Sequence, residues 1–459
     1  MRWGRPAGLR SVKKTAEVAL ERDTEVARFL KVAVPQRGID PESWEIGLRA
    51  AVLSAGARLL EEMLVGIGSG RCAEPLLCHC GQKMESRGCK GKRIKTVLGD
   101  IGYRRSLFAC PACDATCCPG DEALDIAGTG FSPGVRRMMS RAGSRATFKE
   151  ARDDLKDYAE IVVTSKDVER TAEDVGEEAE SWQKSQSAEL ISRPFLSPVS
   201  KDIPLMYIRY DGTGVPMVPW ETIERKGKQP DGSSRSREVK LGCVFTQTTV
   251  DDNGRPVRDD MSTTFVGAIE DSDQFGGRIY GESLRRGLER AKKTVVLGDG
   301  ARWIWDIAEM HFPGATQIVD LYHAREHVYE LCSILAGSDE TSRIRNQIKW
   351  LTALDEGNPE KIGEDAMKLL PRRGERRKAA LREIGYFKNN AHRMRYEQFR
   401  KEGLFVGSGV VEAGCKSIVG LRLKRSGMEW TVRGANSIIA LRCCYLSGRM
   451  EDFWEQRAG

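Results

Sequence analysis

Between residues 205 and 319 the chain alternates short apolar runs with amphipathic ones, and that order restricts the fold more than any other feature. Residues 205–210, 239–248 and 262–269 read as three strands, with the Gly/Ser/basic stretch 226–237 as an exposed hairpin tip between the first two. Residues 273–292 read as a helix, 294–297 as a buried strand, 301–311 as a second helix and 316–319 as another buried strand. Three strands, a helix, a strand, a helix and a strand is the element order of an RNase H-like fold, an α/β core on a mixed sheet.

Two acidic residues end strands in this scheme: Asp211 in a Tyr-Asp-Gly-Thr-Gly sequence and Asp299 in Leu-Gly-Asp-Gly-Ala. Functional side chains of open α/β sheets gather at the carboxyl ends of strands, where they project beyond the packed layer. If the first and fourth strands are neighbours, the two carboxylates face each other. Their repulsion would then favour a proton or a divalent cation, and oxygen donors without His or Cys point to Mg²⁺ or Mn²⁺. Two-ion phosphoryl transfer sets its ions ~3.5–4 Å apart and usually takes a third carboxylate. The candidate is Glu412, near the start of an expected helix whose Val410, Val411, Ile418 and Val419 can pack on the sheet. Singly, each has a plainer reading: Asp-Gly is a common turn pair, and a first-turn Glu suits the helix dipole. Their joint position on the right elements, in the right order, is what argues for a site.

With 459 residues and 40% hydrophobic content, the chain can bury a sizeable core spread over several domains. The apolar stretch at 51–70 is broken by Arg58, Glu61 and Glu62, so no run approaches the ~20 residues of a membrane span. Residues 1–14 are basic without the apolar segment of a signal peptide, which suits a cytoplasmic protein with no membrane partner. A net charge of +7 is mild, but residues 371–401 carry 11 Lys/Arg against 3 Glu, and 85–105 carry 7 against 2 acidic residues. Both runs suit a polyanion such as double-stranded DNA; solvated helix faces are the alternative. In the first run the expected DNA contacts are Arg372, Arg373, Arg376, Arg377, Lys378, Arg393 and Arg395.

Eight of the 13 cysteines (Cys72, Cys78, Cys80, Cys89, Cys110, Cys113, Cys117 and Cys118) fall within 47 residues. Without a secretory signal, a metal site is favoured over disulfides. Cys78-His-Cys80 and Cys110-Pro-Ala-Cys113 are tight pairs separated by strands at 93–98 and 102–108 that join at Gly99-Asp100, the outline of a zinc ribbon. Structural Zn²⁺ is expected on Cys78, Cys80, Cys110 and Cys113, with Cys72, His79, Cys89, Cys117 or Cys118 as substitute ligands and free buried thiols as the alternative. Residues 15–67 read as helices, 148–158 and 164–177 as a helix-turn-helix-like pair with Thr164 or Ser165 as N-cap, and the proline-bearing 192–204 as a linker. The expected domains are a helical region (1–70), a zinc ribbon (71–125), a helical DNA-binding region (126–195), a catalytic core (200–323), a helical basic insertion (324–404) and the end of the core with the tail (405–459).

The combination Asp211-Gly-Thr-Gly-Val-Pro216, Gly298-Asp-Gly-Ala-Arg-Trp-Ile-Trp305, Phe312-Pro-Gly-Ala-Thr-Gln-Ile-Val-Asp-Leu-Tyr-His323 and Gly407-Ser-Gly-Val-Val-Glu412 resembles the ISKra family of bacterial insertion-sequence transposases. Arg422-Leu-Lys-Arg-Ser-Gly-Met-Glu-Trp430 is similar to that family's C-terminal signature, which adds Lys424 and Arg425 to the expected DNA contacts. The resemblance implies a DDE triad of Asp211, Asp299 and Glu412, holding two Mg²⁺ or Mn²⁺ ions in an RNase H-like domain with an all-helical insertion, as in Mutator-like transposases. It also maps a D-x-x-H motif onto Asp320 and His323, in a supporting role. The implied partners are terminal inverted repeats and target DNA, bound by a dimer or higher oligomer associated with the nucleoid. Cleavage at the element ends would free a 3′-hydroxyl that attacks the target.

Two other readings compete. A transposase-derived DNA-binding protein without catalysis would share most of these features. His323-Ala-Arg-Glu326-His327 also matches the H-x-x-E-H zinc pattern of inverted zinc peptidases, which leaves Asp211, Asp299 and the cysteines without a role. For Trp303 and Trp305, a core position is expected over base stacking.

Overall fold

The computed structural model describes residues 41–67, 69–70, 75–227, 229–407 and 414–458. Met1–Ala172 and Glu173–Arg457 form two compact units, and the described residues of each have their own core. The helical expectation for 15–67 lies outside the described residues up to position 40.

In the first unit, helix α1 (Pro41–Ile67) lies on a hairpin of β1 (Glu85–Thr96) and β2 (Gly99–Ala109). Ala57 and Leu64 from the helix meet Ile94, Ile101, Tyr103 and Ile126. The hairpin closes from Thr96 to Gly99, where the glycine takes a φ of 130° that a side chain would resist. Both strands run further than expected, because the outer residues of β1 are exposed and carry no apolar alternation to reveal them. A short β3 (Thr116–Cys117) pairs with β2. Lys92 and Arg105, counted in the basic run 85–105, turn instead onto buried Asp121 at 2.9 and 3.0 Å.

Three helices follow: α2 (Pro133–Arg145), α3 (Phe148–Ala159) and α4 (Ser165–Ser192). A capping box of Thr147 and Glu150 starts α3, and Glu160 in the left-handed region ends it. Thr164 is the N-cap of α4: its hydroxyl accepts the Asp167 N–H at 3.0 Å, and its own N–H donates to Asp167 at 2.9 Å. The expected helix pair is therefore part of a three-helix cluster around Val135, Met139, Leu155 and Val168. Helix α4 outruns the expected end at 177 because its buried stripe of Val168, Ala172, Val175 and Ala179 keeps helical spacing.

The second unit is built on a five-stranded mixed sheet of β4 (Ile203–Pro216), β5 (Ser236–Gln247), β8 (Thr264–Ala268), β9 (Ala291–Gly298) and β10 (Thr316–Val319). Between β5 and β8, the short β6 (Thr249–Val250) and β7 (Pro256–Val257) pair with each other. The strands lie in the order β10-β9-β4-β5-β8; β4, β9 and β10 are parallel, while β5 runs antiparallel to both its neighbours, β4 and β8. That topology is compatible with an RNase H-like core. Helix α5 (Ser272–Arg285) links β8 to β9, and α6 (Arg302–His311) makes the crossover from β9 to β10. Met206, Tyr207 and Ile208 of β4 are fully buried, as suits a central strand covered on both faces.

Two boundaries differ from expectation. Strand β4 continues past Asp211 to Pro216, laddered to β5 through Pro216↔Ser236; this extension is held by main-chain pairing and has no apolar run to reveal it. Helix α5 stops at Arg285 rather than 292, because Gly287 at φ 90° turns the chain into β9.

After β10 come α7 (Leu321–Ala336), α8 (Glu340–Asp355), α9 (Pro359–Lys368), α10 (Glu375–Asn390) and α11 (Tyr396–Lys401). Trp350, Leu354, Ile362, Ile384 and Phe387 from these helices join the core of the sheet. Helices α12 (Val432–Leu446) and α13 (Met450–Ala458) complete the unit, α12 packing on β8. Among the described residues no helix is long and apolar enough to cross a membrane.

Candidate functional site

The parallel ladder of β4 and β9 ends at Arg209↔Leu297. Two residues further along each chain stand Asp211 and Asp299, at the same level on neighbours spaced at about 4.8 Å. Asp211 Oδ1 accepts the Gly212 N–H at 2.7 Å, and Asp299 Oδ1 accepts the Ala301 N–H at 2.8 Å. Burial pushes the Asp211 carboxyl above its ordinary range and the negative charge of Asp299 pushes it further, against the pull of the Gly212 amide, Arg209 and His323. Two oxygen donors that resist ionising together are suited to a divalent cation. Glu412, the third expected carboxylate, lies outside the described residues.

Asp320, the residue that follows β10, is fully buried. One of its oxygens accepts from Arg209 at 2.8 Å, and the other accepts the Tyr322 and His323 N–H groups at 2.8 and 3.3 Å, capping α7. Its charge is thus matched by a guanidinium that is itself only 2% exposed. His323 Nδ1 lies 3.6 Å from Asp320, an ion-pair separation too long for a hydrogen bond. Asp320 raises the His323 pKa, opposed by burial and aided by Asp211 and Asp299, so the imidazole sits within reach of both strand-end carboxylates.

The H-x-x-E-H pattern does not converge. His327 Nδ1 is 2.6 Å from Glu383, and its ring stacks on Tyr386 at 3.6 Å between centroids, whereas His323 faces Asp320. No metal-type cluster among the described residues includes either histidine. Tyr386 was not foreseen: its hydroxyl donates to the Asp299 carbonyl at 2.8 Å across 87 residues of sequence, and no local pattern announces such a contact. Nor did any pattern reveal Arg209, a lone arginine within an apolar strand.

The expected DNA contacts divide sharply. Arg372 and Arg373 are exposed. Arg376 caps the end of α7 through the Ile334 carbonyl at 2.8 Å, Arg377 donates to the Pro371 carbonyl at 2.9 Å and Lys378 pairs with Glu375 at 2.7 Å. Arg393 is 8% exposed, its guanidinium 4.4 Å from the Trp305 ring centroid and bonded to Gln317. Arg395 is similarly committed to Glu360 and the Gly357 carbonyl. Exposed Lys424 donates to Thr213 at 2.6 Å, two residues along β4 from Asp211, and Arg425 is half-buried. Trp305 is buried, while Trp303 packs against Tyr210 and Phe275.

In the first unit, the sulfurs of Cys78, Cys80, Cys110 and Cys113 all lie within 4.8 Å of one another, with Cys78–Cys113 and Cys80–Cys110 at 3.5 Å. A zinc tetrahedron with Zn–S of about 2.3 Å has sulfur–sulfur edges of about 3.8 Å, so the quartet can hold such an ion. The amides of Ala112 and Cys113 pull the Cys110 thiol down to about 7. The Ala115 amide pulls on Cys113 too, but the sulfurs of Cys78 and Cys110 outweigh it and hold that thiol up at about 12. Four crowded thiols cannot all ionise without a cation. Of the substitute ligands, Cys72 lies outside the described residues, Cys89 is exposed, Cys117 contacts Met84 and Cys118 precedes the short helix Pro119–Ala123.

No family model and no curated protein matches the chain. Among solved structures, the Drosophila P element transposase strand transfer complex matches over 71% of this chain and 81% of that chain, at 10% identity and a TM-score of 0.23. Similarity at that level leaves the reading of the site to the chain's own geometry.

Proposed function

We propose that this chain is a DNA transposase of the DDE kind, cutting and joining DNA strands at a carboxylate site formed by Asp211 and Asp299 and completed by Glu412. The observation that carries the reading is the juxtaposition of Asp211 on β4 and Asp299 just past the end of the adjacent parallel β9, in a sheet whose topology suits an RNase H-like core, with Asp299 raising the Asp211 pKa. These oxygens would hold Mg²⁺ or Mn²⁺, which when bound supplies the Lewis acid for phosphoryl transfer. The chain's own residues do the rest: the Gly212 and Ala301 amides fix the two carboxylates, Asp320 and Arg209 form a buried ion pair, and Asp320 raises the pKa of His323. Lys424, exposed beside Thr213, is suited to a phosphate of the bound strand.

The basic segment before α10, chiefly exposed Arg372 and Arg373, would track the DNA backbone. The cysteine quartet would hold Zn²⁺ as a structural ion in the unit that, with α2 to α4, binds the terminal repeats. Pairing of two DNA ends implies a dimer or larger assembly.

The test is nicking of a plasmid carrying the gene's own flanking DNA, with Mg²⁺, Mn²⁺ or EDTA, by wild type and Asp299→Asn. Metal-dependent nicks at defined ends, lost in the variant while binding persists, are expected. Undiminished cleavage by Asp299→Asn would overturn the assignment. Salt-sensitive end binding with no cleavage by wild type would mark a DNA-binding protein that has lost catalysis.

A further inference from the structure

Helix α10 brings one side chain to the Asp299 loop: the Tyr386 hydroxyl, donating to the Asp299 main-chain carbonyl at 2.8 Å. Backbone and carboxylate are coupled there, because Asp299 Oδ1 accepts the N–H of Ala301, two residues on. A shift of the carbonyl therefore swings the carboxylate. The space between is occupied by Gly300 at φ 101°, where a Cβ would stand 2.5 Å from the Tyr386 ring. The phenol thus fills the volume that any larger residue after Asp299 would need.

Tyr386 is itself braced. His327 of α7 stacks on its ring at 3.6 Å between centroids and 23° between planes. The orientation of His327 is in turn set by Glu383, whose carboxylate is 2.6 Å from Nδ1 and lies three residues before Tyr386 on the same helix face. A half-buried phenol could satisfy its hydroxyl with any carbonyl. Here two further side chains are spent on directing it to the carbonyl of Asp299.

We propose that Tyr386, braced by His327 and Glu383, is a positioning residue that sets the direction of the Asp299 carboxylate; the inference rests on Asp299 being a metal ligand of the proposed site. Tyr386→Phe removes the hydroxyl and keeps the stack. Outer partners of metal ligands typically change metal affinity or activity by roughly 10- to 100-fold. The expected result is a fall of that size in kcat for DNA nicking, with the KM for DNA and the melting temperature unchanged. Binding of Mn²⁺ to the DNA-free protein, read from the signal of free Mn²⁺ in electron paramagnetic resonance, should weaken in parallel. Glu383→Gln, which can still hydrogen-bond His327, should remain closer to wild type than Glu383→Ala.

Wild-type kcat and Mn²⁺ affinity in Tyr386→Phe, alongside a defective Asp299→Asn, would overturn this inference alone. Wild-type Mn²⁺ binding and nicking by Asp299→Asn would overturn the reading of the site and this inference with it.

Discussion

The buried Arg209–Asp320 pair concentrates the energetics of the site in two side chains. Removing one partner strands the other charge in the interior, a cost of about 3–5 kcal/mol, whereas an apolar pair of similar volume is often neutral. Asp320→Ala is therefore expected to lose about that much stability in urea unfolding, and Arg209→Met with Asp320→Leu to recover most of it. A loss below about 1 kcal/mol for Asp320→Ala would show the pair to be solvated. His311 offers a pH-dependent counterpart. Its ring stacks on Tyr280 at 5.3 Å between centroids, Nε2 is buried without a partner, and burial holds its pKa below 6.5. Because the folded value lies below the unfolded one, its contribution is fully present above pH 6.5 and lost as pH falls toward the folded value. Wild type should lose stability between about pH 7 and about pH 5 more steeply than His311→Phe; parallel curves would exclude the effect. At this scale the sequence marked Asp211, Asp299 and the four cysteines by local context, but it could not mark Arg209 or Tyr386, whose partners are remote in the chain.

At the scale of elements, the cysteine quartet supplements a hairpin core that β1 leaves thin: on the outer part only Tyr103 and Phe108 of β2 are buried apolar residues. Most of β1 up to Arg93 is exposed, so the end of the hairpin near Glu85 and Ala109 depends on the sulfur cluster together with buried Phe108. Structural zinc sites contribute folding free energy outright. The protein as purified should carry about one zinc per chain, lost on prolonged chelation or in Cys110→Ser, with increased amide exchange in 85–90 and 104–109. Retention of slow exchange there after complete metal removal would show that the hairpin stands alone. The inner strands were legible because their apolar alternation is local. The outer ladder of β1 and the extension of β4 to Pro216 were not, since main-chain pairing needs no particular side chains.

For the whole molecule, element types and their order were encoded locally: period-two apolar runs for the sheet, period 3.6 for the helices, and Gly, Asp and Cys at the turns. From these the sequence by itself determined an α/β unit with two carboxylates near strand ends, and an N-terminal cysteine cluster spaced for a metal. Strand adjacency was another matter. That β4 and β9 lie side by side, so that Asp211 and Asp299 oppose each other, follows from α5 carrying the chain from edge strand β8 past β5 and β4 to β9. Tertiary structure also decided which charges face solvent: Arg372 and Arg373 do, while Arg393, later in the same basic run, is stacked on Trp305. Charge counts record how many cations a segment holds, but burial and partners are set by contacts from residues far along the chain, and only the folded arrangement decides those.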